Sequence, residues 1–339
     1  MKKEYYPEIN IARGLGVLIV LLGHSFPDAE IGVFAHPVYR WGFDTCYSFH
    51  MALFFVISGF VMGGRFFRGD YDVVREIVGK VKRLLLPYLF LSYLSLLPKI
   101  LLNAYARNPV DTGTAVLVLF GQSPNGSLWY LYVLFVFSVF ALCCGMLLRN
   151  AGDGWKLLCM TAGGILCYTV CLWKGESVLA SVFMERICKY LIFYVAGLVM
   201  FRYYDRIKKV YFLPVAIVAC GLVLLFACPY TAITVDYGIT AILGIYSVLV
   251  LSERISTQKE SRLCRALKRC GDHSYDIYIL SYYVQQSIRV LCFRLLGWDY
   301  LPVFLMELLL GFAVSYLFSV HVLRKNRTLK RVLIGVWED

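Results

Sequence analysis

Apolar residues fill the chain in long runs, each closed by a short polar or basic turn. A helix needs about 20 mostly apolar residues to span a bilayer. Ten stretches fit that pattern, roughly 8–27, 43–63, 84–104, 127–148, 155–173, 186–201, 210–228, 231–251, 274–296 and 300–322. The sixth is short. A further apolar segment, TAVLVLF at 114–120, has too few residues to cross and reads as a re-entrant or interfacial turn. The pattern predicts an all-α, polytopic integral membrane protein of about ten transmembrane helices. No internal repeat, low-complexity tract or long linker interrupts it, so residues 1–339 read as a single membrane domain. The first run lacks a small-residue cleavage site behind it and reads as a retained helix.

Loop charge orients the spans. Lys and Arg collect in the loops that face the cytoplasm. Alternate loops, with both termini, receive 25 of the 34 basic residues, from Lys2 and Lys3 to Arg324, Lys325, Arg327, Lys330 and Arg331. That split fits an even number of spans with both termini cytoplasmic. Composition agrees: 60% of residues are hydrophobic and 17% charged, against about 25% charged in soluble domains, which excludes a single soluble domain. The net charge of +12 is topogenic, because no nucleic-acid motif accompanies it. The twelve cysteines sit mostly in apolar runs without metal-site spacing. They read as small hydrophobes, and no metal is expected.

Ionisable groups at membrane depth are expensive and mark candidate sites. The first run, INIARGLGVLIVLLGHSF, carries Arg13 and His24. Eleven residues of helix leave the two on one face, about 16 Å apart along the axis. A cation at the cytosolic mouth suits the phosphates of a donor such as coenzyme A, whose thin arm spans that depth. An imidazole deeper on the same face suits a general base near neutral pH. The alternative is that Arg13 snorkels to the interface and His24 caps a helix end near Pro27. Gly14, Gly16 and Gly23 admit a close neighbour to that helix.

Arg13-x10-His24, followed by FFVISGF at 54–60, resembles the membrane acyltransferase-3 family. The fuller FHMALFFVISGF is similar to the branch described as fucose 4-O-acetylase-like or exopolysaccharide O-acetyltransferase, with Ala52 at a position where that branch has proline. The opening YYPEINIARGLGVLIVLLGH, KVKRLLLPY (80–88), GSLWYLYVLF (126–135) and GDHSYDIYIL (271–280) resemble further blocks of the same branch, so the likeness runs from end to end. It implies an acyl-CoA-dependent membrane O-acyltransferase. The expected donor is acetyl-CoA and the expected acceptor a cell-envelope or capsular carbohydrate or its lipid-linked precursor, at a bacterial plasma membrane. Ser281 stands where the family often has a second histidine, which leaves His24 as the expected base.

The remaining expectations follow from placement. His50 is set at the depth of His24, lining the same polar cavity as a second catalytic group, or else making one inter-helix hydrogen bond. Lys82 and Arg83 either bind the CoA phosphates with Arg13 or serve as topogenic charges. Trp129 reads as a sugar-stacking platform or as an interfacial anchor. Ser58 reads as a substrate contact or as a packing residue beside Gly59. Asp236, Asp276 and Glu307 are candidates to support His24, and Asp236 and Glu307 are expected well inside their spans. A transporter or flippase of similar span number is the rival reading.

Overall fold

The computed structural model describes residues 5–27, 36–101, 110, 112–174, 182–227, 234–258 and 261–337. The first helices are α1 (Pro7–Ser25), α2 (Pro37–Tyr47), α3 (His50–Arg68), α4 (Val73–Lys80), α5 (Leu86–Leu101), α6 (Thr112–Val118), α7 (Trp129–Leu147) and α8 (Asp153–Lys174). Then come α9 (Val182–Arg202), α10 (Tyr204–Lys208), α11 (Leu213–Leu225), α12 (Val235–Thr257), α13 (Arg262–Asp272), α14 (Ser274–Ile288), α15 (Tyr300–Phe318) and α16 (Arg327–Ile334). Short π-helical segments, Val81–Leu85, Arg289–Leu295 and Ser319–Leu323, adjoin α5, α14 and α15. No strand occurs among the described residues. The protein is an all-α polytopic membrane protein.

Among the described residues, six helical segments are long and apolar enough to cross a membrane: Pro7–Ser25, Pro37–Arg68, Trp129–Leu147, Asp153–Trp173, Val235–Thr257 and Tyr300–Leu323. The other four expected spans are helical but shorter or more polar. α11 has 13 residues, about 20 Å of helix. α9 carries Glu185, Arg186, Lys189 and Arg202. The expected 43–63 helix begins earlier, at Pro37, and is broken at Ser48–Phe49. Ser48 Oγ donates to the Thr45 carbonyl at 2.8 Å, and such side-chain bonding competes with helix continuation. The break makes His50 the first residue of α3. The expected start near 231 also shifts. α12 opens at Val235, capped by Thr234, whose hydroxyl accepts from the Tyr237 N–H. Asp236 therefore lies exposed in its first turn. There it complements the positive end of the helix dipole, a correction to the expected buried carboxylate.

Packing divides the chain into two compact units, Met1–Phe54 with Arg206–Val322, and Phe55–Asp205 with Leu323–Asp339. In the first, α1 is the centre. α13 crosses it backbone to backbone: a Cβ on Gly14 would fall on the Leu267 carbonyl oxygen, and one on Gly271 on that of Asn10. Asn10 Nδ2 donates to the Lys268 carbonyl at 3.1 Å and to Asp272 Oδ1 at 2.9 Å, which fixes the crossing. Ile11, Ile255, Cys264 and Leu267 bury the apolar side of α13, and burial raises the Cys270 thiol pKa. Lys208 pairs with Glu8 at 3.2 Å and with Glu253 at 3.8 Å.

The second unit has an aromatic core around Phe55, Tyr130, Phe137 and Tyr190. There α3 and α9 cross so closely that a Cβ on Gly59 would fall on the Tyr194 carbonyl oxygen. The π turn at Val81–Leu85 precedes Pro87, and the Leu86 N–H donates to Val81 O. This widened turn accommodates a proline that offers no N–H. The short apolar segment is the seven-residue α6 and the turn behind it. Its carbonyls are held by tyrosines: Tyr93 on Ala115 at 3.2 Å, Tyr88 on Val118 at 2.8 Å and Tyr132 on Leu119 at 3.0 Å. The hydroxyls supply donors to carbonyls at the end of a helix too short to satisfy them itself.

Candidate active site

His24 lies in the last turn of α1, half-buried, with Arg13 half-buried eleven residues earlier on the same helix. Gly23 allows α2 to lie close, because a Cβ there would meet Cys46 Cβ and Tyr47 Cε2 at 3.2 Å. That approach brings the Tyr47 hydroxyl to 2.9 Å from His24 Nδ1. Tyr282 of α14 meets the His24 ring edge-on, with centroids 5.3 Å apart. Tyr47 is itself stacked on Phe43 at 4.1 Å.

His50 is buried, 1% exposed, and meets Tyr47 edge-on at 4.7 Å. Its Nδ1 lies 2.6 Å from the Cys46 carbonyl, one turn back along its own chain. The two histidines thus flank one tyrosine. A polar pair was expected from sequence; the structure inserts Tyr47 between them.

The end of α1 is bound by side chains from the opposite end of the sequence. Gln285 Nε2 donates to Leu21 O and to Ser25 Oγ, each at 2.9 Å. Arg289 Nη2 donates to His24 O at 2.7 Å and Phe26 O at 3.3 Å. The Tyr300 hydroxyl donates to Ser25 O at 3.0 Å. Arg289 is clamped by Glu307: Nε to Oε1 at 2.9 Å and Nη2 to Oε2 at 2.6 Å. Both are buried, 3% and 0% exposed in their side chains.

These residues belong to a polar seam between the antiparallel α14 and α15. Arg289 faces Glu307, and a Cβ on Gly311 would meet Gln285 Cγ at 2.9 Å. The same register sets Ser281 opposite Ser315, and both hydroxyls are buried without a hydrogen-bond partner. Towards the other end, Ser319 Oγ donates to Asp276 Oδ2 at 2.5 Å, and His273 Nδ1 lies 2.8 Å from the same hydroxyl. Of the three expected supporting carboxylates, Glu307 is linked to His24 through Arg289. Asp276 engages Ser319 and His273, and Asp236 is exposed on α12.

In the second unit, Ser58 Oγ lies 2.8 Å from the Tyr130 hydroxyl. Trp129 is half-buried between the Arg186 guanidinium, 4.5 Å from its ring, and Tyr190, with centroids 5.4 Å apart. Arg83 Nη1 donates to Ile334 O at 3.1 Å, at the end of α16, and Lys82 Nζ lies 5.1 Å from the Trp337 ring centroid.

A family model described as an acyltransferase domain, that of acyltransferase-3, matches residues 6–320. The chain belongs to the acyltransferase-3 family. No curated protein and no solved structure matches it. The match makes the protein a membrane acyltransferase, and it spans both compact units. Sequence reasoning named His24 and Arg13 as candidates and did not point to Tyr47, Gln285 and Tyr300, which the structure places around the end of α1. Tyr47 lies three residues before His50 at the end of a separate helix, so no periodicity tied it to His24. Glu307 was expected well inside its span, but nothing in sequence paired it with Arg289.

Proposed function

We propose that this membrane O-acyltransferase moves an acetyl group from cytosolic acetyl-CoA to a hydroxyl of a cell-envelope or capsular carbohydrate, or of its lipid-linked precursor. The observation that carries the reading is the His24–Tyr47 hydrogen bond beside a helix that also carries Arg13. With Nδ1–H donating to the Tyr47 oxygen, Nε2 keeps its lone pair. Nε2 then takes the proton of the acceptor hydroxyl as that oxygen attacks the thioester carbonyl. The C–S bond breaks as the ester forms, and the imidazolium returns the proton to the departing thiolate. General base catalysis of this kind is worth about 10²–10⁴-fold. His50, edge-on to Tyr47, is the second catalytic group of this reading and orients the tyrosine or the substrate.

Arg13 binds the CoA phosphates at the cytosolic end of α1. Lys82 and Arg83 serve as phosphate contacts in their own right. Trp129 stacks on the sugar, and Ser58 contributes a hydroxyl. One acyltransferase domain with ten spans, both termini cytoplasmic, in a bacterial plasma membrane completes the reading.

Purified protein in detergent, radiolabelled acetyl-CoA and a crude envelope glycan fraction test it. Wild type should transfer label, folded His24→Ala should lose transfer, and Arg13→Ala should need more acetyl-CoA. A wild type that neither binds nor consumes acetyl-CoA would sink the reading.

A further inference from the structure

A helix leaves its last carbonyls without intrahelical donors, and at membrane depth no water replaces them. The last turn of α1 is the turn that holds His24. Its carbonyls at His24, Ser25 and the following Phe26 receive donors from Arg289 and Tyr300, while Leu21 O, one turn earlier, receives Gln285. A cation at a helix C-terminus also complements the negative end of the dipole. An unpaired guanidinium there would be costly, and the bidentate Glu307 carboxylate neutralises it.

We propose that Arg289 and Glu307 are positioning residues for His24: Arg289 fixes the terminal turn of α1 that aims the imidazole, and Glu307 cancels the cation's field at that ring. The proposal rests on His24 being the base. The geometry is local. Arg289 Nη2 is 2.7 Å from the carbonyl of His24 itself, so a change in the charge of the Arg289–Glu307 pair acts directly beside the imidazole. The groups facing His24 include Tyr47 from α2, Tyr282 from α14, Arg289 from the π segment behind α14 and, through Arg289, Glu307 from α15. The contacts of α13 with Asn10, and of Lys208 with Glu8 and Glu253 of α12, lie at the other end of α1.

The experiment uses the full chain in detergent and two readouts. One is the pH–rate profile of acetyl transfer. The other is the pH midpoint of diethylpyrocarbonate modification of His24, followed by mass spectrometry, with buried His50 as an internal comparison. Glu307→Gln, which leaves Arg289 charged, should move both the acidic midpoint of transfer and the modification midpoint of His24. It should also reduce kcat about tenfold or more with KM for acetyl-CoA within about twofold. The double variant Arg289→Gln/Glu307→Gln removes both charges. Its midpoint should return to the wild-type value while kcat stays low, because the turn is no longer held. Tyr300→Phe deletes one hydroxyl on the same turn and should lower kcat less, at an unchanged midpoint. It carries the positioning test if the Glu307 variant does not fold.

Folded Glu307→Gln with a wild-type midpoint and wild-type kcat overturns the proposal, as does Tyr300→Phe with unaltered kcat where the Glu307 variant cannot be folded. If wild type transfers no acetyl group but the modification midpoint still shifts, the function reading fails while the electrostatic coupling to His24 stands.

Discussion

In the proposed reaction, Tyr47 is the residue on which the chemistry of His24 turns. An imidazole has one lone pair when neutral, and the partner of Nδ1 decides whether Nε2 holds it. The Tyr47 hydroxyl is that partner at 2.9 Å. Its ring is held independently, stacked on Phe43 at 4.1 Å and edge-on to His50 at 4.7 Å. Removing the oxygen should therefore leave the ring in place. Tyr47→Phe is expected to lower kcat for acetyl transfer about tenfold to a hundredfold, with KM for acetyl-CoA and thermal midpoint near wild type. Steady-state kinetics and a detergent melting curve measure this, and an unchanged kcat would remove Tyr47 from the mechanism. Arg13 and His24 were legible in sequence because both sit on one helix, where an eleven-residue spacing fixes a shared face. Tyr47 was not legible, because its approach depends on the break at Ser48–Phe49 and on the missing side chain of Gly23.

The elements are held by contacts between backbones as much as between side chains. A Cβ on Gly197 would fall on the Val56 carbonyl oxygen and lie 2.7 Å from Phe60 N. Small residues at such a crossing replace the hydrophobic driving force that lipid does not supply between helices. Gly197→Ala should cost about 1–3 kcal/mol or more, as over-packed sites do. Gly163 in α8 provides the contrast, because nothing lies within 4 Å of a Cβ there. Gly163→Ala should stabilise by about 0.5–1 kcal/mol through helix propensity alone. Thermal unfolding in one detergent compares the two, and equal midpoints would show that α3 and α9 do not meet at Gly197. Sequence placed Gly59 at a close contact beside Ser58 but gave no partner, since the pairing of α3 with α9 spans more than a hundred residues. The three tyrosines on α6 and its following turn were hidden for the same reason. The segment's length showed that it could not cross, but not what would bind its carbonyls.

At the scale of the molecule, the open quantity is how many times the chain crosses the bilayer. Long apolar runs made the all-α membrane class readable at once, because the cost of exposed backbone in lipid leaves helices as the solution for such runs. Span count is harder to read. α9 and α14 each carry polar residues that face the interior of their own unit, so they look less like membrane helices than the apolar spans do. Glu185, Arg186 and Lys189 interrupt α9, while Asp276, Gln285 and Arg289 line the seam at α14. Loop charge is the independent guide, and the proposed ten-span reading built on it predicts Asn150 and Lys325 on the cytoplasmic side and Asp299 on the outer side. All three are exposed, and the Asp299 side chain makes no cap hydrogen bond to α15. A thiol at each position therefore reports sidedness without disturbing the fold. In intact cells a membrane-impermeant maleimide should label Asp299→Cys. It should label Asn150→Cys and Lys325→Cys only after permeabilisation. Buried Cys270, whose thiol is pushed to higher pKa by its surroundings, should contribute little background near neutral pH. Lys325→Cys labelled from outside would mean that α14 with its π segment, or another polar helix, does not cross. The C-terminal basic cluster would then face away from the cytosolic donor.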